Sequence, residues 1–430
     1  MKSGKALAPI FLDGTVSGVF SQDRIVFMRR VGTSNLYSAM YTAKGDVNAL
    51  EINRRLFAAT PGLSANAKGF GAALDTRIIA QSASEERLLE LGTGSSVAEA
   101  AARVPLQLAN GSPAAYAEIA GLSKQRTLTL NQGLANHFGS LRAGLIEAAE
   151  GEYTLWTTGY GTWHKQNADT AVGSAGFTGN TWGDMFGVEK RFGDLVVGVL
   201  GAAGSTSANF SALAGRVTTD TWHGGAYATA AVGSATLESG FVFGSTDSSA
   251  RRTISAPGMA TQEGKMTMGG SEWLLHVGLA QPVIATGSLT ITPSVRLIAQ
   301  GSTLDKGSEK DLGGLEVKTQ TQRNHSILHE LGVEARQSLK LASKPASASL
   351  QLDWIHDYNS KGRALNMDVA GDATTRFGYK GSDSGADALR LGAALETALN
   401  RRTTLRFSVD YQRQSNAAAA HGALSVGYTF

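Results

Sequence analysis

The segment that decides the fold reads Thr404-Leu405-Arg406-Phe407-Ser408-Val409-Asp410-Tyr411. Leu405, Phe407, Val409 and Tyr411 alternate without a break with Thr404, Arg406, Ser408 and Asp410. Successive side chains of a strand point to opposite faces, so the segment is a strand with one apolar and one polar face. The pattern recurs upstream. Leu289, Ile291, Pro293, Val295 and Leu297 alternate with Thr290, Thr292, Ser294 and Arg296, and Leu237, Phe241 and Phe243 oppose Thr236, Glu238, Gly240 and Gly244. Trp273, Leu275, Val277 and Leu279 face away from Glu272, His276 and Gly278.

Twelve such segments follow Gly151, at roughly 152–165, 180–192, 195–206, 217–232, 235–250, 264–285, 288–302, 318–340, 346–359, 378–399, 403–414 and 417–430. Their connections alternate in length. Gly193-Asp194, Gly233-Ser234, Thr286-Gly287, the turn near Lys344-Pro345 and Asn400-Arg401-Arg402 are short. Stretches near 166–179, 207–216, 251–263, 303–317 and 360–377 are long and polar, and the last hairpin, at Ser415-Asn416, is short on the long-loop side. Tight turns at one end and long loops at the other are the pattern of a transmembrane antiparallel β-barrel, which also leaves no strand edge unpaired. A soluble sandwich or β-helix gives no reason for that sorting. The fold expected is therefore all-β, a barrel of about 12 strands.

Composition agrees. No run of 18 apolar residues occurs, which excludes a transmembrane helix but not transmembrane strands of about 9–11 alternating residues. The mean hydropathy of −0.10 fits alternation. With 52 glycines and 8 prolines, the chain suits long paired strands with glycine at the turns. The absence of cysteine removes disulfides and thiolate metal sites. A net charge of +3 without basic, aromatic-interleaved runs argues against a nucleic-acid partner.

Upstream, 66–150 reads as a helical junction. Leu88, Leu89 and Leu91 lie among Glu85, Glu86, Arg87 and Glu90, and 97–103 is rich in helix formers. Asn110-Gly111 breaks the pattern, with Ser112 and Pro113 placed as N-cap and first helical residue. Leu134, Phe138, Leu141 and Leu145 then recur at helical spacing, surrounded by Asn131, Gln132, Asn136, His137 and Arg142. A helix over about 123–146 would be roughly 35 Å long at ~1.5 Å per residue, close to the ~30 Å hydrocarbon thickness. It runs into the first strand through Gly151, so the expectation is a helix threading the lumen. Residues 1–65 carry short β segments, Ile25–Met28 and Leu36–Tyr41, of the size of a β cap or the last rungs of a parallel β-helix. The basic start Met1–Lys5 precedes an apolar run, Ala6–Leu12, too short for a secretory signal, so either export information has been lost from this chain or the chain is the downstream part of a longer precursor.

The final strand ends with Leu424, Val426, Tyr428 and Phe430 on one face. That row fits a lipid-facing strand ending at an aromatic girdle, and it resembles the signal read by the barrel-assembly machinery. Other residues carry a wider resemblance. Trp354-Ile355-His356-Asp357-Tyr358 resembles the Trp-x-His-Glu-Phe strand of autotransporters, with Asp and Tyr in place of Glu and Phe. Leu391–Leu395, Gly427–Phe430, Leu155-Trp156 with Gly159-Tyr160-Gly161, Phe186–Glu189 with Phe192-Gly193-Asp194, and Gly69–Asp75 add to it. Over about 66–430 the chain thus resembles a monomeric, type V secretion autotransporter: 1–65 a passenger remnant, 66–150 the junction and pore-plugging helix, 151–430 the outer-membrane barrel. The resemblance implies a translocator in the outer membrane of a Gram-negative bacterium that anchors and helps export its own passenger, with loops and passenger at the cell surface. It also implies partners: outer-membrane lipid and lipopolysaccharide, the barrel-assembly machinery and periplasmic chaperones. The alternative is an outer-membrane pore with a plug or periplasmic module.

No enzyme motif is present: no H-E-x-x-H, no G-x-S-x-G, no Walker A loop. Neither a cofactor nor a metal site is expected, and His137 reads as a polar plug residue. Because some autotransporters cut their own linker, Asn131 and Asn136 are candidate cleavage positions, with Glu238 and Glu272 as candidate assisting carboxylates. Glu189 and Glu330 should face inwards too. The competing expectation is a polar wall in which these acids pair with Arg191, Arg296 and Arg336.

Overall fold

A computed structural model describes residues 10–11, 37–44, 47–54, 56–79, 112–146, 148–210, 215–254, 261–312 and 315–430. Twelve strands form the barrel: β1 (Tyr153–Gln166), β2 (Phe177–Phe192), β3 (Leu195–Phe210), β4 (Gly215–Val232), β5 (Ala235–Ile254), β6 (Gln262–Ala280), β7 (Leu289–Leu304), β8 (Gln322–Leu341), β9 (Lys344–Asp357), β10 (Asp387–Ala398), β11 (Thr403–Gln414) and β12 (Ala417–Thr429). Each pairs antiparallel with the next in sequence, and β12 closes on β1 from Ala417↔Gln166 to Thr429↔Thr154. Closure satisfies every strand edge, which a lipid environment demands.

Alternation decides the two faces. In β11, Arg406 and Ser408 are buried towards the lumen while Phe407, Val409 and Tyr411 are exposed outwards. Outward Phe186, Val199, Phe241, Leu297, Leu331, Leu352 and Leu391 extend the apolar belt around the barrel. Aromatic residues border it at both ends: Trp163 meets Trp182 edge to face at the long-loop end, and Tyr153 stacks on Phe430 at the other. Tyr153 and Trp163 are ten residues apart on β1, hence ~33 Å along the strand and about 25 Å along the barrel axis at a ~40° tilt. That height matches the apolar band of an outer-membrane barrel.

Three of the twelve expected segments are shorter than their patterns. Between 264 and 285 the main strand stops at Ala280, because Pro282 lacks an N–H, and Ile284–Thr286 folds back on Leu289–Ile291 through Gly287. The patterns over 318–340 and 378–399 each split. Val317–Thr319, Ala364–Val369 and Phe377–Lys380 leave the barrel and form a separate three-stranded sheet from the two longest loops. The turn placed near Lys344-Pro345 is Ala342-Ser343, both at positive φ, and Lys344 and Pro345 already belong to β9.

Among the described residues, three α-helices precede the barrel: α1 (Ala65–Ile79), α2 (Ala114–Ala117) and α3 (Ile119–Ala143). Pro113 itself caps α2, and Ser112 instead receives a hydrogen bond from the Tyr379 hydroxyl at 3.1 Å. The helical pattern at 85–103 and the segments Met1–Lys5 and Ile25–Met28 lie outside the described residues. Tyr37–Lys44 pairs antiparallel with Val47–Arg54, and Ile10–Phe11 joins that hairpin antiparallel, an arrangement unlike rungs of a parallel β-helix.

Among the described residues, the buried apolar side chains form two cores. One surrounds Leu130, Leu134 and Phe138 of α3 within the lumen. The other covers the long-loop mouth, where α1, α2, the loop sheet and the strand ends bury Phe57, Leu74, Tyr116, Phe210, Met367 and Phe377 together.

Candidate functional site

The site is the occupied lumen. Helix α3 has 25 residues and spans about 37 Å at ~1.5 Å per residue. Gly144, at φ 57°, ends it by donating its N–H to Ser140 O at 3.3 Å. A left-handed residue there costs glycine least and satisfies a last-turn carbonyl. The chain then turns through Gly151, at φ 86°, into β1 at the short-turn mouth. The N-terminus of α3 reaches the long-loop mouth, where Glu118 accepts hydrogen bonds from the Ser382 N–H and Oγ, both at 2.8 Å. Burial pushes the Glu118 carboxyl up to about 7 despite those two bonds.

The apolar side of α3 packs on the wall from β1 to β7. Leu134 and Phe138 are fully buried. Leu134 rests on Gly240 of β5, where a Cβ would come within 2.6 Å of Leu134 Cδ2, so the wall is bare to admit it. Leu141 is only partly buried, and Leu145 lies beyond the Gly144 terminus, so the stripe ends one turn before the spacing suggests. Leu130, one turn above Leu134 and 1 % exposed, continues the stripe upwards.

The polar side bonds to strands all round the barrel. Arg126 forms a two-pronged ion pair with Glu272 of β6, Lys124 pairs with Asp357 of β9, and Arg142 pairs with Glu238 of β5. His137 Nε2 lies 2.8 Å from Glu189 Oε2 of β2, and its ring stacks on Trp156 at 4.1 Å between centroids. The Trp156 N–H donates to Tyr227, whose hydroxyl donates to Glu189 at 2.7 Å. The Arg336 guanidinium of β8 donates to Gly139 O at 2.9 Å. Paired charges withdrawn from water hold position strongly, since removing one partner leaves the other buried alone.

The structure thus puts Glu189, Glu238, Glu272 and Glu330 in the lumen, each at most 5 % exposed. It gives three of them partners on the helix, His137 for Glu189, Arg142 for Glu238 and Arg126 for Glu272, where wall arginines were the alternative. Arg296 does pair with Glu330, and Arg390 joins both Glu330 and Asp353. Arg336 pairs instead with Glu334, whereas Arg191 donates to Gly193 O. Lys124, Arg126 and Arg142 are site residues that the apolar spacing does not single out, although three cations on an otherwise uncharged 25-residue helix are a signal for them.

The candidate asparagines are not joined to the carboxylates. Asn131 Oδ1 is hydrogen-bonded to His276 Nδ1 at 2.8 Å, and His276 Nε2 stands 3.9 Å from Glu238. Asn136 donates to Ser408 Oγ at 3.1 Å. Both acids named to assist cleavage are engaged by Arg142 and Arg126. Two of the cavities beside α3 share no lining residue. The first lies by Leu145, Trp156 and Arg406, the second by Gln132, Asp410 and His421, with the Asn136–Ser408 contact between. Leu424, Val426, Tyr428 and Phe430 form an exposed outward row on β12. No cluster of histidine and acidic side chains among the described residues is arranged to hold a metal.

Comparison with known proteins gives the same architecture. No curated protein sequence matches the chain. The translocator domain of the autotransporter NalP from Neisseria meningitidis superposes with a TM-score of 0.58 at 13 % identity, covering 72 % of this chain and 98 % of that one. The transport unit of the autotransporter AIDA-I from Escherichia coli has a TM-score of 0.47 at 18 % identity, covering 69 % and 98 %. The family model described as the autotransporter beta-domain matches residues 155–410. The chain therefore belongs to the autotransporter β-domain family, outer-membrane translocators of Gram-negative bacteria that export a passenger from their own chain.

Proposed function

We propose that the short-turn mouth faces the periplasm, that the long loops and everything N-terminal to α2 lie at the cell surface, and that α3 is the last exported segment, retained in the pore. One observation carries this reading: α3 is covalently continuous with β1 at the short-turn mouth and leaves the lumen at the opposite mouth. Chain upstream of α3 is then on the far side of the membrane from the turns. The domain plan follows: 1–65 passenger remnant, 66–150 junction and plug, 151–430 anchor. Asn131 and Asn136, bonded to His276 and Ser408 rather than to carboxylates, support an uncut linker and a transporter without catalytic activity. The partners of the reading are outer-leaflet lipopolysaccharide and lipid around the apolar belt, periplasmic chaperones before insertion, and the assembly machinery meeting the β12 row of Leu424, Val426, Tyr428 and Phe430. A barrel closed on itself and filled by its own helix supports a monomer.

An epitope inserted ahead of residue 37 tests the orientation. Protease added to intact cells should remove it while the barrel survives; an epitope cut only after the outer membrane is opened refutes it. The pore alternative has less support, because α3 is bonded to most of the strands and the cavity by Arg406 shares no lining with the one by Asp410.

A further inference from the structure

The core at the long-loop mouth is not needed to close a barrel. Its floor is the three-stranded sheet that the two longest loops build beyond the strand ends. Loop 305–321 is held there by a buried ion pair in which Arg252 donates twice to Glu309 at 2.8 Å, with Glu309 also accepting from Tyr116. The segment lying on the sheet comes from the N-terminal side of the pore. Phe70 of α1 packs on Phe377 at 5.5 Å between ring centroids. Asn66 donates its Nδ2–H to Lys380 O at 2.7 Å and accepts the Lys380 N–H at 2.9 Å, and the Asn66 N–H donates to Val172 O of the first loop at 3.0 Å. Asp75 accepts from the Phe57 and Ala58 N–H groups, folding the turn 57–59 back under the helix. Phe57 and Leu74 have no exposed surface and Phe70 has 3 %.

We propose that this loop sheet is a capture platform for segment 56–79 of the same chain, which makes export one-way. A 15-residue helix is marginal in water alone, so α1 needs this partner to persist. The platform lies outside the mouth and the lumen is filled by α3, so only chain that has already crossed can dock. A contact available to one side of an equilibrium draws the population to that side. The proposal rests on the long loops being external.

The test uses the full chain in intact cells, with Phe70→Ala and Asn66→Ala on the segment and Phe377→Ala on the platform; Phe377→Leu is the conservative control. Barrel insertion is checked by heat-modifiable migration. We expect externally added protease to cut within 56–79 about tenfold faster in the Ala variants, since protection follows the population of the open form. In pulse-chase, an N-terminal epitope should reach the surface at least about threefold more slowly, and Phe377→Leu should restore both. Cleavage unchanged in all three Ala variants overturns the docking; faster cleavage with unchanged export overturns its role in export. Lys361→Cys, exposed on the loop between β9 and β10 in a chain without other cysteines, separates the underlying reading. If an impermeant maleimide labels it only after lysis, the external assignment fails and the proposal with it.

Discussion

The seat of Leu134 on Gly240 offers a quantitative check on how α3 is held. A methyl at Gly240 would stand 2.6 Å from Leu134 Cδ2, about 1 Å inside ordinary carbon contact at ~3.5–4.0 Å. Gly240→Ala should therefore cost about 1–3 kcal/mol as overpacking. Leu134 is fully buried, so Leu134→Ala should cost about 2–5 kcal/mol through lost transfer and a residual cavity. In the double variant the new methyl enters the space the leucine vacates. The combined loss should fall short of the sum by about 1–2 kcal/mol. Urea unfolding in lipid vesicles, followed by tryptophan fluorescence, reads all four corners, and Trp156 beside His137 reports on the helix contact itself. Additive losses, or a Gly240→Ala variant as stable as the parent, would refute the packing of the helix on β5.

Other outcomes follow from the same contacts. Arg126→Met or Glu272→Gln alone should lose about 3–5 kcal/mol, whereas Arg126→Met with Glu272→Met should lose markedly less, because no buried charge is then left unpaired; the same unfolding experiment decides. On the outer face, Leu297→Arg near the middle of β7 should cost about 2–4 kcal/mol in vesicles, and a neutral effect would contradict the lipid belt. Glu118, raised to about 7 by burial, gives a signed pH dependence. The folded form binds the proton more tightly than the unfolded one, so stability is highest below the ordinary value near 4.5, falls as pH rises to about 7, and is flat above. The span is on the order of 3 kcal/mol, and Glu118→Gln should abolish that slope in protection of the loop around Ser382.

Sequence made the barrel legible because lipid on one side and a packed polar lumen on the other impose a period of two on nearly every strand. Leu405 to Tyr411 needs no tertiary information to be placed. The pattern fails where the environment changes. At 318–340 and 378–399 the alternation continues past the barrel rim into the loop sheet, since a half-buried strand reads alike in either setting. The helix is legible through Leu134 and Phe138, yet its ionic side is not, because the partners of Arg126 and Arg142 lie 146 and 96 residues downstream. The pattern of four inward acids fits a wall paired with its own arginines equally well; only contact distances reveal that the helix supplies three of the partners. Leu145 falls outside the stripe for a local reason, as Gly144 ends the helix just before it.

The most direct measurement is single-channel conductance in planar bilayers, comparing the full chain with one lacking residues 112–146. A lumen filled by α3 and bonded to the surrounding strands should conduct poorly, and its removal should open a stable aqueous pore through the twelve strands. Equal conductance with and without the helix would contradict a plugged translocator and favour an open channel.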